Sequence, residues 1–350
     1  MDVSEKLILW YLEQKRDLPW RKTKDPYKIW LSEIILQQTR VEQGLDYYHK
    51  FVNTYPTIGL LAAADEEEIL KNWQGLGYYS RARNLHTTAK YIHSKLKGKF
   101  PNRYEEIIKL KGVGPYTAAA IASFAFMEAK AVVDGNVYRF LSRLFDIETP
   151  INSADGIKIF QAIANDLLDK KKPDLFNQSI MEIGALICTP KNPKCLLCPI
   201  QSKCLAFEKG TITKRPVKIK KLKQTIRKID YVVVENEDEI VMRKREAKDI
   251  WQGLYDFASI EGKDSANPES LHDLIKSTFP KTEVDSISSG PVKEYTHLLS
   301  HRKIEARFWK AEVSGVLEEK GAYKVVAKKE IKKYAVPRLI HRYLEETGLV

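Results

Sequence analysis

Cys188, Cys195, Cys198 and Cys204 are the only cysteines in the chain, and their spacing is C-x6-C-x2-C-x5-C. Four sulfur ligands this close together require residues 188–204 to wrap around a shared centre, which excludes one regular helix or strand there. Such a set holds either an iron–sulfur cluster or an all-thiolate zinc ion. The spacing favours the cluster. Structural zinc usually joins two short C-x2-4-C pairs through a longer spacer, and only one short pair exists here. A loop around a cube-shaped [4Fe–4S] cluster accommodates 6, 2 and 5 intervening residues better. Disulfides or unrelated structural thiols fit such clustering less well.

The chain has 350 residues, enough for about two domains with separate cores. No run of about 18 apolar residues exists to span a bilayer, and the amphipathic start Met1–Lys6 is unlike a secretory signal. A reducing interior suits exposed thiolates, so the expected location is the cytoplasm or nucleoid. The net charge of +12 favours a polyanionic partner, because each neutralised phosphate releases condensed counterions.

Up to about residue 205 the pattern is helical. Ser4 is placed to cap an apolar stripe through Leu7, Ile8, Tyr11 and Leu12. Further helices are expected near 30–38, 41–53, 65–73, 81–95, 103–109, 116–127, 135–145, 153–169 and 174–186. Between Lys209 and Lys228 nine of twenty residues are Lys or Arg and none is acidic, the composition of a solvated linker. Beyond it, 229–234 and 239–243 look like paired strands around an acidic turn. Residues 302–313 alternate as a half-buried strand does, and helices follow near 268–278 and 328–346. The expected organisation is an all-α module over 1–206, a basic linker over 207–228, and an α+β domain over 229–350.

Two local patterns carry chemistry. Gly112-Val113-Gly114-Pro115 joins one helix to the next, and the free N–H groups of the second helix are a seat for a phosphate. A plain helix–helix turn fits G-x-G equally well. Asp134 stands between the apolar run at 132–133 and a new helix, so its carboxylate should accept that helix's first N–H groups. Such an anion, held by hydrogen bonds and the helix dipole, also suits a substrate that becomes cationic.

The hairpin, the aspartate twenty residues after Gly114 and the cysteine loop together resemble the helix–hairpin–helix DNA glycosylase superfamily, in its endonuclease III branch. Within that branch the chain is similar to the MutY family of adenine DNA glycosylases, over about residues 4–205 closely and 229–345 more loosely. Endonuclease III has a Schiff-base lysine two residues after the second hairpin glycine. Here that residue is Tyr116, so the resemblance implies water as nucleophile and an uncut abasic site. Residues 29–39 (IWLSEIILQQT) resemble the family's catalytic-acid helix, read as amphipathic with Glu33 on its apolar flank.

The implied reaction is excision of adenine mispaired with 8-oxoguanine, and with guanine, from double-stranded DNA by a monomeric enzyme. Adenine leaves once its N7 is protonated, so one carboxyl must hold a proton near neutral pH and another must remain ionised beside the cationic sugar. The resemblance gives Glu33 the first role and Asp134 the second, with Tyr116 and Asn136 in support. The base must first leave the duplex. Gln38 and Tyr78 match the residues that wedge into the helix, and Trp20, Arg21 and Gln178 match the adenine pocket. Some relatives have glutamate at the position of Gln178.

The C-terminal stretch 251–257 resembles the strand before a Nudix box, but residues 258–280 lack the glutamate run that would hold magnesium. The expectation is a Nudix-like fold that reads the oxidised guanine, with Ser300 and His301 in a loop after Tyr295. Leu299 replaces a phenylalanine common in the family. Three other activities compete with this reading. They are a bifunctional lyase on oxidised pyrimidines, a non-catalytic iron–sulfur DNA sensor, and Nudix-type nucleotide hydrolysis.

Overall fold

A computed structural model describes residues 2–219, 225–246, 248–262, 266–299, 302–314, 316–317 and 319–350. They form two compact units, one of residues 1–62 and 87–221, the other of residues 63–86 and 222–350. Among the described residues no helix is long and apolar enough to cross a membrane, and no strand precedes Thr225.

The first unit is helical. Its first helix, Val3–Gln14, is capped by Asp2 and not by Ser4. Asp2 accepts the Glu5 N–H at 2.8 Å while Glu5 reaches back to the Asp2 N–H, a reciprocal capping box that leaves Ser4 buried in the first turn. Leu7 and Ile8 of this helix enter a core with Val137, Phe140, Leu141, Phe160, Ile180 and Ile183. Each such side chain contributes about 1.5–3 kcal/mol by leaving water.

Helix Pro26–Leu36 differs from its amphipathic expectation. Eight of its eleven residues are buried, so Glu33 sits in a helix enclosed nearly all round. Pro115 begins helix Pro115–Phe126, where its missing N–H costs nothing. Before it, Gly112 takes φ +81° and lets the chain double back.

The first part of the expected linker is held against this unit. Arg215 pairs with Asp146 at 2.9 Å and Glu148 at 2.7 Å, and the Ile151 N–H bonds to the Val217 carbonyl. These acids lie about 70 positions upstream, so the run of positive charge alone did not reveal them.

The second unit is built on a mixed sheet. Its strands are β1 Thr225–Glu235, β2 Glu239–Lys244, β3 Tyr255–Asp256, β4 Ala258–Glu261, β5 Glu283–Ile287, β6 Lys293–Leu298, β7 Arg302–Ser314 and β8 Tyr323–Ala327. The order is β3-β2-β1-β7-β5, with β4 on β1, β6 on β7 and β8 on β2. Central β1 and β7 are parallel, and Tyr231 to Val234 are buried on both faces, which explains their unbroken apolar run. One face packs Val232, Val234 and Trp309 against Leu271 and Ile275 of helix Pro268–Thr278. On the other, Phe308 stacks on Tyr343 of helix Arg338–Glu346 at 4.4 Å. The helix expected over 328–346 is in fact a 3-10 turn, Lys328–Lys333, followed by this shorter helix after Pro337.

Residues 63–86 join this sheet unit, although the sequence assigns them to the helical module. Glu67 accepts Lys244 Nζ at 2.6 Å and the Tyr255 hydroxyl at 3.0 Å, and Arg83 donates to the Gln252 carbonyl at 2.6 Å. Gly253, at φ +82°, lies so near Leu70 that a Cβ there would come within 2.9 Å of it. A glycine serves both the backbone and the contact.

Candidate active site

Helix Pro26–Leu36 carries Glu33 to the wall of a cavity of about 180 Å³ within the first unit. The hairpin helix brings Tyr116 to the same cavity, and the start of helix Gly135–Leu144 brings Asp134 and Asn136. Trp20, Arg21 and Gln178 complete the set that the sequence placed together, against apolar walls such as Leu18, Phe124 and Met181.

Glu33 is only 5% exposed. Burial pushes its carboxyl up to about 7. The Tyr116 hydroxyl donates to it and works against that rise, the Asp134 charge adds to it, and Arg21 subtracts. Asp134 caps its helix as expected, accepting the Asn136 N–H at 2.8 Å, the Val137 N–H at 2.7 Å and Asn136 Nδ2 at 2.8 Å. Burial raises this carboxyl too, and those three N–H groups pull it back. Of the two acids, Asp134 has the richer set of bonds to its ionised form.

Asn136 is fixed from behind. Its Oδ1 accepts Arg139 Nη2 at 2.8 Å, and Arg139 also donates to the carbonyls of Gly184 and Cys188, each at 2.6 Å. At Gly184 the helix Pro173–Leu186 meets Asn136 so closely that an added Cβ would lie 2.7 Å from the Asn136 Cβ and 2.9 Å from its carbonyl oxygen. Gly184→Ala should therefore destabilise the protein by about 1–3 kcal/mol. Urea unfolding would read this, and an unchanged midpoint would mean that the two helices separate freely.

Sequence reasoning missed Glu182. It lines the cavity, is fully buried, and takes both Arg21 (2.9 and 2.7 Å) and Arg16 (2.9 and 2.6 Å) in forked ion pairs. Burial alone would raise its carboxyl, yet the two arginines hold it down at about 2. Leaving either side of such a pair alone costs about 3–5 kcal/mol. The available signal was spacing, since Glu182 follows Gln178 by one helical turn and shares its face. Gln178 itself accepts the Tyr11 hydroxyl at 2.5 Å.

Other expected residues lie outside the cavity. Gln38 is exposed just after the Glu33 helix in a left-handed conformation, φ +57°. Tyr78, in the second unit, is 49% exposed at φ +47°. Gly112 and Gly114 form the hairpin, and a Cβ at Gly114 would meet nothing within 4 Å. Ser300 and His301 fall outside the described residues. The stretch before them is strand β6 up to Leu298 and not a loop.

The four cysteines line one pocket, walled by Phe140, Leu144, Ile187, Ile200, Phe207 and Ile212. Two 3-10 turns, Cys195–Leu197 and Gln201–Lys203, fold the loop back. Arg143 Nη1 lies 3.3 Å from Cys188 Sγ. Burial pushes the Cys198 thiol up to about 11 and raises Cys195 and Cys204, so cationic metal is what would make them thiolates. Among the described residues no three Cys, His, Asp or Glu side chains converge as ligands of a single metal ion.

Comparison with known proteins gives the same architecture. Residues 31–159 match the family model of the HhH-GPD superfamily base excision DNA repair proteins, and residues 230–346 match that of the NUDIX domain. An adenine DNA glycosylase of Buchnera aphidicola subsp. Schizaphis graminum is 35% identical over 288 residues, 79% of this chain and 83% of that protein. A thermostable thymine-DNA glycosylase superposes with a TM-score of 0.55 at 31% identity, over 59% of this chain and 95% of its own. A trapped endonuclease III–DNA covalent intermediate superposes with a TM-score of 0.52 at 20% identity, over 59% of this chain and 94% of its own, a likeness of fold.

Proposed function

The chain belongs to the adenine DNA glycosylase family, hydrolases of N-glycosidic bonds, and from that premise we propose that it excises adenine mispaired with 8-oxoguanine, and with guanine, from double-stranded DNA without cutting the strand. The observation that carries the reading is the shared cavity of Glu33 and Asp134, one enclosed in a buried helix and the other bonded by three N–H groups.

The adenosine leaves the stack and its base enters the cavity. Glu33 donates its proton to N7. The C1′–N9 bond breaks, its electron pair goes to the base, and an oxocarbenium-like sugar forms opposite the Asp134 carboxylate. Water adds at C1′ and gives its proton to the Glu33 carboxylate, which restores the acid. Tyr116 has no amine to form an imine with the sugar, so elimination of the 3′ phosphate has no starting point. The hairpin at Gly112 and Gly114 and the exposed Lys191, Lys194 and Lys203 suit the phosphate backbone.

The cysteine pocket fits a [4Fe–4S] cluster held by Cys188, Cys195, Cys198 and Cys204. When bound, the cluster supplies positive charge that holds four thiolates and fixes the loop. The chain's own contribution is Arg139, which carries the position of the Cys188 carbonyl to Asn136. In the second unit, helix Pro268–Thr278 has only Glu269 and Asp273 as acids. This supports lesion recognition through Ser300 and His301 in place of nucleotide hydrolysis.

A single-turnover comparison of A:8-oxoguanine, A:G and A:C duplexes tests the reading. Adenine should leave the first two, with strand breaks appearing only after alkali. Nicking before alkali, or no adenine release, would overturn it.

A further inference from the structure

Glu182 is the one fully buried acid of the cavity that the reaction does not use. Its two oxygens receive five N–H groups, the Arg16 backbone N–H at 2.9 Å and the two forked guanidinium groups. Arg21 lines the same cavity as Glu33 and Asp134, and its side chain is only 13% exposed. A guanidinium in that enclosure would find Glu33 or Asp134 as its next anion.

We propose that Glu182 is a positioning residue, a decoy carboxylate that clamps Arg21 and so keeps its positive charge from pairing with the catalytic acids. This rests on Glu33 being the proton donor. A clamped Arg21 shapes the cavity for the base through its side chain, while its charge is spent on Glu182. Released, it would form an ion pair with Glu33 and favour the carboxylate, so the acid would lose the proton that it must donate. Pairing with Asp134 would blunt the charge meant for the sugar.

The ionisable groups facing Glu33 are few. Tyr116 comes from the hairpin helix, Asp134 from the start of helix Gly135–Leu144, and Arg21 from the turn Pro19–Arg21, while helix Val41–Thr54 contributes only Val41 to the cavity. Arg16 and Glu182 line the same cavity, and Arg21 is the cation whose charge acts on Glu33. Its charge already opposes Glu33 protonation from within the clamp. An unclamped cation within contact distance lowers a carboxyl by about 1–3 pH units.

The test is the pH profile of single-turnover adenine release from an A:8-oxoguanine duplex, with the full-length protein. Glu182→Gln should move the alkaline limb down by about 1 pH unit or more, so that its release is about tenfold slower than the parent's at pH 8 and close to the parent's at pH 5. Arg21→Gln should move the limb the opposite way, upward. The double variant, with one charge of each sign removed, should bring it back toward the parent. If Glu182→Gln does not fold, the upward shift in Arg21→Gln and the double variant decide the matter. A uniform loss of rate at every pH, or an unmoved limb in Arg21→Gln, overturns the decoy role. Failure of the acid assignment itself reads differently, as a Glu33→Gln protein that still releases adenine.

Discussion

Adenine release should fall about 10³-fold or more when Glu33 is replaced by glutamine, with duplex binding kept. General acids contribute about 10²–10⁴-fold, and an amide of the same shape cannot deliver a proton to N7. The parent's rate should decline as pH rises through about 7, because Glu33 loses its proton there. The same shift affects stability. In the unfolded chain this carboxyl titrates near 4.5, so its folded value is raised. Its stabilising contribution is present below that lower value and is lost as pH rises toward 7. Above 7 the native protein carries a buried anion at a cost of at most about 3 kcal/mol. Glu33→Gln should thus be more stable than the parent at pH 8, by about 1–3 kcal/mol, and closer to it at pH 5. Quench-flow release and thermal melts at both pH values read the two effects. A variant within tenfold of the parent rate would move the acid elsewhere.

Asp134→Asn separates cap from charge. Asparagine caps a helix about as well as aspartate, so helix Gly135–Leu144 keeps its two backbone bonds to Oδ1, while the amide nitrogen in place of Oδ2 cannot accept Asn136 Nδ2 and stability falls by about 1–3 kcal/mol. What is lost is the negative charge that the proposed mechanism sets against C1′, and release should slow about 10²–10³-fold, the usual effect of removing one electrostatic partner of a transition state. The pair of measurements is the denaturation midpoint and the single-turnover rate. An active Asp134→Asn protein would mean that the cationic sugar is stabilised by another group.

Much of this was legible because its causes are local. The Asp134 cap, the Gly112 turn and the one-turn spacing within helices depend on neighbours a few positions apart. Strand β1 was legible for a related reason, since a parallel strand buried on both faces needs an apolar run. The misses are long-range. Asp2 displaced Ser4 as cap because Glu5 completes a box with it. Glu182 meets its arginines across 161 and 166 positions, and no periodicity marks an ion pair of that separation. The burial that lifts Glu33 likewise depends on packing around helix Pro26–Leu36, and the sequence offered only its apolar neighbours.

The partnership of residues 63–86 with the sheet has a consequence for biosynthesis. Glu67 must wait for Lys244, 177 positions later, and Arg83 for Gln252, 169 positions later. At about 5–20 residues per second, a ribosome delivers those partners roughly 10–35 s after the segment itself. Throughout that delay the nascent polypeptide holds Leu70 and its neighbours without the surface they finally cover, while the stretches on either side are already free to mature.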